Sequence, residues 1–370
     1  MKRILFAATI TDHFYYFHLP YIKYFHDLGW EVHVVGKGSR ALPCCDVQHD
    51  IPIERSPFST ANIKAYKELK KIIAEGDFDI IHCHTPMGGI LTRIAAASQR
   101  RKGTSVLYTA HGFHFYKGAN LINWLIYYPI EWVMSHMTDC LITINDEDYT
   151  FAKKHFKSAR VELVNGVGYN SDLFFKPDDE KKLDLRKKNG YTTDEKLLIY
   201  VAEMNKNKNQ SMLLDALKEL IPSHNVRLLI AGADNFEGKY ISYAKQLGVD
   251  SKVDFLGHRE DVNDLVSMAD ICVASSLREG LPVNIMEAMA CGLPVVAADN
   301  RGHRALIKNG RNGFLVPAGD SHEMAKIISD LLDDNDLFSE ISSNAAEDVE
   351  LFSKENVGRQ MISIYKDYQR

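Results

Sequence analysis

The residues whose types and spacing point most directly to chemistry lie between Ser275 and Leu293. This segment, SSLREGLPVNIMEAMACGL, places Glu279 eight positions before Glu287, with a Gly-Leu-Pro turn directly after the first glutamate. Pro282 is preorganised for a first helical turn, so the free N–H groups of a helix that begins there would face the loop carrying Glu279. Helix N-termini bind phosphate, whereas carboxylates repel phosphate and accept hydrogen bonds from hydroxyls. The pattern predicts a sugar-nucleotide site; the alternative is an amphipathic helix with Glu287 on its surface.

The elements that must position this segment follow from a regular alternation of short apolar runs with helix-length segments. Such alternation indicates parallel sheets with helices on both faces. Helical periodicity covers residues 60–75 and 87–102, and a polar stretch near residues 168–195 separates the two halves of the chain. The predicted strands are RILFAAT, EVHVVG, FDIIHCH, SVLYTAH, DCLITIN and ARVELVN in the first half and LLIYVAE, VRLLIAG, VDFLGH, DICVASS, LPVVAAD and GFLVPAG in the second.

Two doubly wound, Rossmann-like α/β domains are the predicted architecture. We expect one domain over residues 1–168, a second over residues 169–350, and a C-terminal helix over residues 351–370 that could pack back on the first domain. Ligands of such sheets bind beyond the carboxyl ends of the strands, so two rims that face each other would form a cleft.

The charge of the chain gives no indication of nucleic-acid binding. The net charge is −5, and a nucleic-acid-binding protein normally presents a basic surface. Residues 1–168 carry 19 Lys and Arg against 16 Asp and Glu, together with 11 of the 15 histidines. This slight basic excess is compatible with an anionic partner or a membrane surface for the first half.

Cysteine spacing and hydropathy bear on the compartment. The six cysteines contain no CxxC pair, which is typical of reduced thiols in a cytosolic protein. The most apolar later stretch, residues 121–137, includes Asn123, Glu131 and His136 and is therefore not predicted to span a membrane. Its aromatic residues fit either core packing or a helix that lies at a bilayer surface.

Three short patterns could indicate a metal site. Residues 146–148 spell Asp-Glu-Asp after an apolar run, but Asn145 or Asp146 capping a helix explains them without a metal. The histidines offer two further pairs, and the members of the first pair should share one face of a strand. No third and fourth ligand follow at fixed spacing, so zinc is not expected. The two pairs are His82 with His84 and His111 with His114.

Several longer motifs together resemble a known enzyme family. The segment SSLREGLPVNIMEAMACGLPVVA and the later GRNGFLVPAGD (310–320) resemble the donor-site signature of the family 4 retaining glycosyltransferases, which have the GT-B fold. HTPMGG (84–89) and YTAHGFHFYKGA (108–119) are similar to the bacterial branch that builds capsules, exopolysaccharides and other glycans on polyprenyl-diphosphate-linked sugars. The resemblance covers nearly the whole chain. It implies an acceptor-side first domain and a donor-binding second domain.

The resemblance implies roles for residues of the second domain. Glu279 matches the catalytic glutamate beside the transferred sugar, and Glu287 matches the glutamate that binds both ribose hydroxyls, a task that suits two acceptor oxygens. Lys208 matches the lysine that neutralises the diphosphate. Further donor-binding positions are Gly280, Leu281, Pro282 and Val283 through backbone groups near the diphosphate, Arg278 as a substitute cation, and His258 and Arg259 near the base.

Residues of the first domain receive roles in the same way. His111 matches the catalytic histidine that approaches the donor sugar, and His114 and Lys117 fall on the same loop. His84, Thr85 and Met87 would form an acceptor-side wall; alternatively, they belong to a plain strand-to-helix turn.

One position departs from the family pattern. Glu203 stands where family members often carry an arginine for the phosphates, so Lys206 or Arg278 would have to supply that charge. Glu203 could instead position Lys208 or contact the acceptor.

The expected function is therefore that of a retaining, metal-independent glycosyltransferase without a cofactor. It would move a hexose or N-acetylhexosamine from a nucleotide-diphosphate sugar, in particular a UDP-sugar, to a polyprenyl-diphosphate-linked saccharide acceptor. The expected location is the cytoplasm, with peripheral contact at the inner face of the plasma membrane. Two alternatives are a nucleotide-sugar epimerase of the same fold and a non-catalytic subunit that binds sugar nucleotides.

Overall fold

The computed structural model describes residues 1–116 and 118–369, and these residues form two compact units. The first unit contains the described residues of 1–168 and 355–370, and the second contains residues 169–354. Each unit is built on a parallel sheet with helices packed against it, which confirms the predicted pair of doubly wound α/β domains.

The first unit is organised around a seven-stranded parallel sheet with the strand order β3-β2-β1-β4-β5-β6-β7. Its central strands are largely apolar because both faces of the sheet are covered; residues 4–8 of the first strand, for example, are fully buried. The elements up to residue 168 are β1 (Arg3–Ile10), α1 (Asp12–Phe17), α2 (Leu19–Asp27), β2 (Glu31–Lys37), β3 (Val47–Asp50), α3 (Ala61–Gly76), β4 (Ile80–His84), α4 (Pro86–Arg100), β5 (Ser105–Ala110), α5 (Leu121–Ser135), β6 (Cys140–Thr143), α6 (Asp146–His155) and β7 (Arg160–Leu163).

The second unit repeats this plan with a six-stranded parallel sheet. Its strand order is β10-β9-β8-β11-β12-β13, so the order reverses between β8 and β11. The elements are α7 (Asp179–Lys188), β8 (Lys196–Val201), α8 (Gln210–Leu220), β9 (Val226–Ala231), α9 (Lys239–Leu247), a 3₁₀ turn (Asp250–Lys252), β10 (Val253–Gly257), α10 (Val262–Met268), β11 (Ile271–Ala274), α11 (Val283–Ala290), β12 (Val295–Ala298), α12 (Arg301–Leu306), β13 (Phe314–Val316), α13 (Ser321–Asp333), α14 (Asn335–Val349) and a second 3₁₀ turn (Glu350–Phe352).

The last helix, α15 (Lys354–Lys366), contributes to the core of the first unit. Val357, Met361 and Ile364 are buried there, and the hydroxyl of Tyr365 lies 2.6 Å from Nδ1 of the buried His82. The C-terminal segment therefore completes the first unit, although it follows the second unit in the sequence.

A buried ion pair fixes α5 on the first sheet. Arg93 of α4 is 1% exposed and forms two hydrogen bonds with Glu131 of α5, at 3.0 and 3.3 Å. The guanidinium also lies over the ring of Tyr108, 3.8 Å from its centroid. Charges this deeply buried require such partners. The pair determines which side of α5 faces the protein.

The opposite side of α5 presents an apolar stripe to solvent. Six large apolar residues at helical spacing are between 40% and 79% exposed. Core packing therefore explains the aromatic residues only on the side of α5 that faces the protein. On that side, Trp124, Tyr127 and Tyr128 pack against buried residues. Among the described residues, no helix has the length and apolar character required to cross a bilayer. The residues of the stripe are Leu121, Ile122, Leu125, Ile126, Trp132 and Val133.

Candidate active site

The predicted donor residues lie where the strand order of the second sheet reverses. Lys208 follows β8, Glu279 follows β11, and these two strands are neighbours. The two loops are tied together, because the Ser275 hydroxyl donates to the Lys208 carbonyl at 2.7 Å and the Leu277 N–H donates to the Asn207 carbonyl at 2.8 Å. Doubly wound sheets bind ligands at this reversal point, so the predicted donor residues occupy the expected place in the fold.

Lys208 and Glu279 contact each other directly. The ammonium of Lys208 donates to Oε1 of Glu279 at 2.7 Å, and the two side chains are 22% and 16% exposed. The backbone N–H of Lys208 donates to Oδ1 of Asn205 at 3.0 Å, which fixes the start of the lysine side chain. The pair is largely buried but still accessible to solvent. An incoming phosphate could therefore compete with Glu279 for the ammonium.

Gly302 permits this position of Glu279. A Cβ atom on residue 302 would lie 2.6 Å from Cβ of Glu279, closer than such atoms approach each other. The backbone there is held by Asn300, whose Oδ1 accepts hydrogen bonds from the N–H groups of Gly302 and His303 at 3.0 and 3.1 Å. These residues were not predicted from the sequence. The signal that could have revealed them is an asparagine N-cap followed by arginine and glycine directly after an apolar strand.

The helix after Glu279 begins one residue later than predicted. Pro282 has an extended ψ of 116° and is the N-cap of α11, so the first helical residue is Val283. The side chain of Asn284 donates to the Val201 carbonyl at 2.9 Å and holds this end of α11 against β8. The N–H groups of the first turn have no acceptor within the helix, as the phosphate hypothesis requires. The preceding Gly280 and Leu281 are partly exposed.

Glu287 lies on α11 and is partly exposed between buried neighbours. Burial raises the pKa of its carboxyl group to about 7, and the nearby charge of Lys354 acts in the opposite direction. The carboxyl is therefore poised between its neutral and ionised forms near neutral pH. A ligand that donates hydrogen bonds to it would favour the ionised form.

The remaining predicted donor residues are less engaged. Arg278 is exposed, and its carbonyl accepts a hydrogen bond from Asn207 at 3.0 Å. His258 is exposed directly after β10. The guanidinium of Arg259 already makes two hydrogen bonds with Asp261, at 2.7 and 2.6 Å, which leaves its backbone as the part suited to contacting a base.

Glu203 does not position Lys208 in this structure. Its carboxylate is exposed and accepts a hydrogen bond from the side chain of Asn235 at 3.1 Å, while the Lys208 ammonium contacts Glu279. Lys206 is exposed as well. Neither residue joins the contact between the two predicted donor residues.

The predicted residues of the first unit gather at the carboxyl ends of β4 and β5. His84 ends β4 and is fully buried, and His111 directly follows β5. Nε2 of His111 lies 3.4 Å from Nδ1 of His84. The strand order of this sheet reverses between β1 and β4, so both histidines lie beside its reversal point.

Thr85 and Met87 differ in their surroundings. Thr85 has a φ of +64°, which is rare for a residue with a side chain, and its hydroxyl accepts the N–H of Thr9 at 3.0 Å. Strain of this kind persists only where neighbours enforce it, and it is frequent at functional sites. Met87 is 8% exposed and packs in the core, as expected for the strand-to-helix turn rather than a wall open to a ligand.

The loop after His111 is held by a buried carboxylate in the first turn of α6. Asp148 of α6 accepts the N–H of Phe113 at 3.1 Å, and Asn145 caps the helix by accepting the N–H of Asp148 at 2.8 Å. The helix-cap interpretation of residues 146–148 is thereby confirmed. His114 stacks on Tyr127 with ring centroids 4.6 Å apart, and Lys117 lies outside the described residues.

Two histidines without a role predicted from the sequence join His84 and His111. His13 lies in α1 and His18 directly precedes α2, and the four residues offer ring nitrogens that all lie within 4.8 Å of one another. Of the pairs predicted from spacing, His82 and His84 do share a face, with ring centroids 4.1 Å apart. Neither His82 nor His114 belongs to the group of four.

A groove of about 750 Å³ lies at the carboxyl ends of β1 and β2. Its lining includes three cationic residues. Two of them have anionic neighbours, since Lys37 contacts Glu54 at 2.5 Å and Arg40 lies 3.6 Å from Asp12. Arg55 is exposed. The cationic residues are Lys37, Arg40 and Arg55.

Two family models together match most of the chain. Residues 181–348 match the model of a family described as Glycosyl transferases group 1, and residues 3–145 match that of Glycosyl transferase 4-like. The chain is 46% identical to EpsD of Bacillus subtilis, a protein named as a glycosyltransferase, over 99% of this chain and 97% of that one.

A more distant relative and a solved structure extend the comparison. The chain is 27% identical to the UDP-Gal:α-D-GlcNAc-diphosphoundecaprenol α-1,3-galactosyltransferase of Escherichia coli, over 75% of this chain and 74% of that one. The crystal structure of Anabaena HepE with UDP and glucose has the same fold, with a TM-score of 0.79 at 22% identity over 99% of this chain and all of that one.

Proposed function

The chain belongs to the family 4 glycosyltransferases of the GT-B fold, and we propose that it transfers a hexose or N-acetylhexosamine from a UDP-sugar to a polyprenyl-diphosphate-linked saccharide. The observation that carries this proposal is the contact between Lys208 and Glu279 in the loops at the reversal point of the second sheet. The name of the E. coli relative, with its UDP-galactose donor and undecaprenol-linked acceptor, supports this choice of substrates. The complexes of HepE are consistent with a nucleotide in this fold.

In the proposed reaction, Lys208 exchanges one anionic partner for another. A donor diphosphate that reaches the ammonium displaces the carboxylate of Glu279, which then accepts hydrogen bonds from the hydroxyls of the transferred sugar. The N–H groups in the first turn of α11 hold the other phosphate oxygens. Because the leaving diphosphate gains negative charge in the transition state, a cation and a helix N-terminus at this place lower the barrier preferentially.

The proposed transfer retains the configuration of the anomeric carbon. The bond from that carbon to the phosphate oxygen breaks, the acceptor oxygen bonds to the same face, and the acceptor proton passes to the departing phosphate oxygen. Glu279 stabilises the positive charge that develops on the sugar. No metal ion is required at the diphosphate in this scheme, since Lys208 and α11 supply the positive potential.

Glu287 and His111 complete the proposed donor contacts. The two oxygens of the Glu287 carboxylate suit the two ribose hydroxyls. Burial lowers the pKa of His111 to about 4, so its ring is neutral near pH 7 and would contact the sugar through a hydrogen bond rather than a charge.

The acceptor side of the proposal uses two surfaces of the first unit. The groove lined by Lys37, Arg40 and Arg55 also includes Asp12 and Glu54, so it offers an excess of one positive charge to an anionic diphosphate. The apolar stripe of α5 would lie in the interfacial region of a bilayer, where a polyprenyl-linked acceptor is anchored. The chain would then act peripherally, at the inner face of the plasma membrane, in assembling a capsule or another exopolysaccharide.

A donor screen tests the proposal. Purified protein is incubated with UDP-sugars and GDP-sugars, each with and without extracted polyprenyl-diphosphate saccharides, and the lipid fraction is analysed by mass spectrometry. We expect a mass increase of one hexose or N-acetylhexosamine on the lipid with a UDP-sugar. A new sugar isomer without acceptor would instead identify an epimerase, and no product with any donor would favour a binding subunit.

A further inference from the structure

The strongest unassigned feature is the cluster of four imidazoles in the first unit, formed by His13, His18, His84 and His111. Its members come from α1, the turn before α2, the end of β4 and the loop after β5. The cluster thus lies at the reversal point of the first sheet, where doubly wound folds bind ligands. We propose that these four histidines form a binding site for a divalent transition-metal ion, with Zn²⁺ as the preferred occupant.

The spacing of the ring nitrogens suits tetrahedral coordination. Zinc binds imidazole nitrogen at about 2.0–2.1 Å, and nitrogens at the corners of such a tetrahedron are roughly 3.3–3.4 Å apart. Nε2 of His18 lies 3.1 Å from Nε2 of His13, and Nε2 of His111 lies 3.4 Å from Nδ1 of His84. Two edges of the tetrahedron are therefore already close to the required length. All four ligand nitrogens lie within 4.8 Å of one another, so only small side-chain adjustments are needed.

Two buried imidazoles of the cluster have polar contacts only with other members of it. Nε2 of His18 and Nδ1 of His84 make the two short contacts given above, whereas the second ring nitrogen of each residue is buried and has no hydrogen-bond partner among the described residues. Buried polar atoms in native proteins almost always have partners, so these two rings are under-satisfied within the described part of the chain. His82, which adjoins the cluster, differs because both of its nitrogens lie within hydrogen-bond distance of hydroxyls, those of Tyr365 and Thr109.

The donor atoms of the cluster are of the kind that transition-metal ions prefer, since all four are imidazole nitrogens. Neutral imidazole is the metal-ligating form, and it suits Zn²⁺, Ni²⁺ and Cu²⁺ far better than Mg²⁺ or Ca²⁺.

The site would be structural rather than hydrolytic. Four protein ligands close the coordination of Zn²⁺ and leave no position for an activated water. An ion there would join α1 to the ends of β4 and β5 and fix the orientation of the His111 ring. Each imidazole has two nitrogens, so His111 could bind the ion with one and donate a hydrogen bond to a sugar with the other. The inference departs from the expectation of a metal-free protein, which considered only ligands at fixed spacing along the chain.

Metal binding by the full-length chain tests the inference without an assay of transfer. The protein is dialysed against a chelator, incubated with Zn²⁺, desalted and analysed for metal content by mass spectrometry. Co²⁺ is used in parallel because its visible absorption reports tetrahedral nitrogen coordination. We expect one equivalent of Zn²⁺ per chain and a rise in Tm of roughly 5 °C at a saturating concentration.

Variants assign the binding to the cluster. We expect His13→Ala and His84→Ala to weaken Zn²⁺ binding at least tenfold and to abolish the Tm shift. His49→Ala is the matched control, because it removes an imidazole from another close histidine pair, with His33 at 3.1 Å, outside the cluster. His13 is partly exposed, so its variant is expected to fold even if that of the buried His84 does not. Less than a fifth of an equivalent bound to the wild type, or unchanged binding by His13→Ala, would overturn the inference.

Discussion

The ammonium of Lys208 and the carboxylate of Glu279 lie 2.7 Å apart, although 71 positions separate them in the chain. Each follows one of the two strands between which the order of the second sheet reverses. The two charges neutralise each other in the pair. Each residue suits a different part of the ligand, because the lysine attracts phosphate and the glutamate accepts hydrogen bonds from hydroxyls. We regard it as the resting state of a site that a sugar nucleotide opens.

Loss of the lysine charge should reduce transfer far more than it reduces stability. We expect Lys208→Ala to lower kcat by about 10²–10³-fold, the usual cost of removing one group that stabilises a developing anion. A partly exposed ion pair contributes only about 1 kcal/mol to folding, so the Tm should change little. The measurement is the initial rate of sugar transfer, with thermal unfolding alongside. Lys218→Ala is the control, since Lys218 is an exposed lysine on α8 of the same unit; equal losses in both variants would argue against the role of Lys208.

The raised pKa of Glu287 predicts pH-dependent nucleotide binding. With its pKa at about 7 in the free protein, the carboxyl is mostly protonated at pH 6, whereas ribose hydroxyls donate to the ionised form. Only that ionised fraction is competent, so the affinity for UDP should rise roughly tenfold between pH 6 and pH 8. Calorimetric titration at several pH values measures this. The phosphate of UDP titrates in the same range, but equally for Glu287→Gln, which should lose the Glu287 contribution. Parallel pH profiles for the two proteins would remove Glu287 from the ribose site.

A single methyl group at residue 302 should displace Glu279. In Gly302→Ala the new Cβ would lie 2.6 Å from Cβ of Glu279, so the loop has to move. We expect transfer to fall at least tenfold, because displacements of about 1 Å in an active site carry costs of this order or greater. Gly358→Ala is the control, since a Cβ there meets no atom within 4 Å and favours the helix. Wild-type rates in Gly302→Ala would show that transfer does not depend on this position of Glu279.

The apolar stripe of α5 should determine attachment to membranes. Leu121 and Leu125 are 79% and 76% exposed, so replacing both with serine removes little packing within the protein. We expect the double variant to bind vesicles of anionic phospholipid at least tenfold more weakly in a flotation assay, at an unchanged Tm. Leu183→Ser changes an exposed leucine on α7 in the second unit and should bind normally. Binding that survives in the double variant but is lost in high salt would indicate attachment through charge alone.

Most strands were predictable from the sequence because they are buried on both faces of a sheet and are therefore largely apolar. β3 was missed, since VQHD contains a single apolar residue and forms an edge strand whose side chains are only partly buried. The stripe on α5 was also only one of two alternatives. Apolar composition does not show which side of a helix the buried pair of Arg93 and Glu131 turns inward.

The candidate site was predictable as a set of strand ends but not as a set of contacts. The fold rule that ligands bind at strand ends places Lys208 and Glu279 at one rim, whereas the contact between them depends on side-chain conformations. The histidine cluster was invisible for a different reason. Its members occupy four separate segments between residues 13 and 111, so no spacing along the chain connects them.

A crystal structure of the chain with UDP is the most direct test of the account. We predict that a phosphate oxygen replaces Glu279 as the partner of the Lys208 ammonium, that the N–H groups at the start of α11 contact the diphosphate, and that Glu287 accepts both ribose hydroxyls. UDP bound elsewhere, with the contact between Lys208 and Glu279 intact, would contradict the proposed donor site.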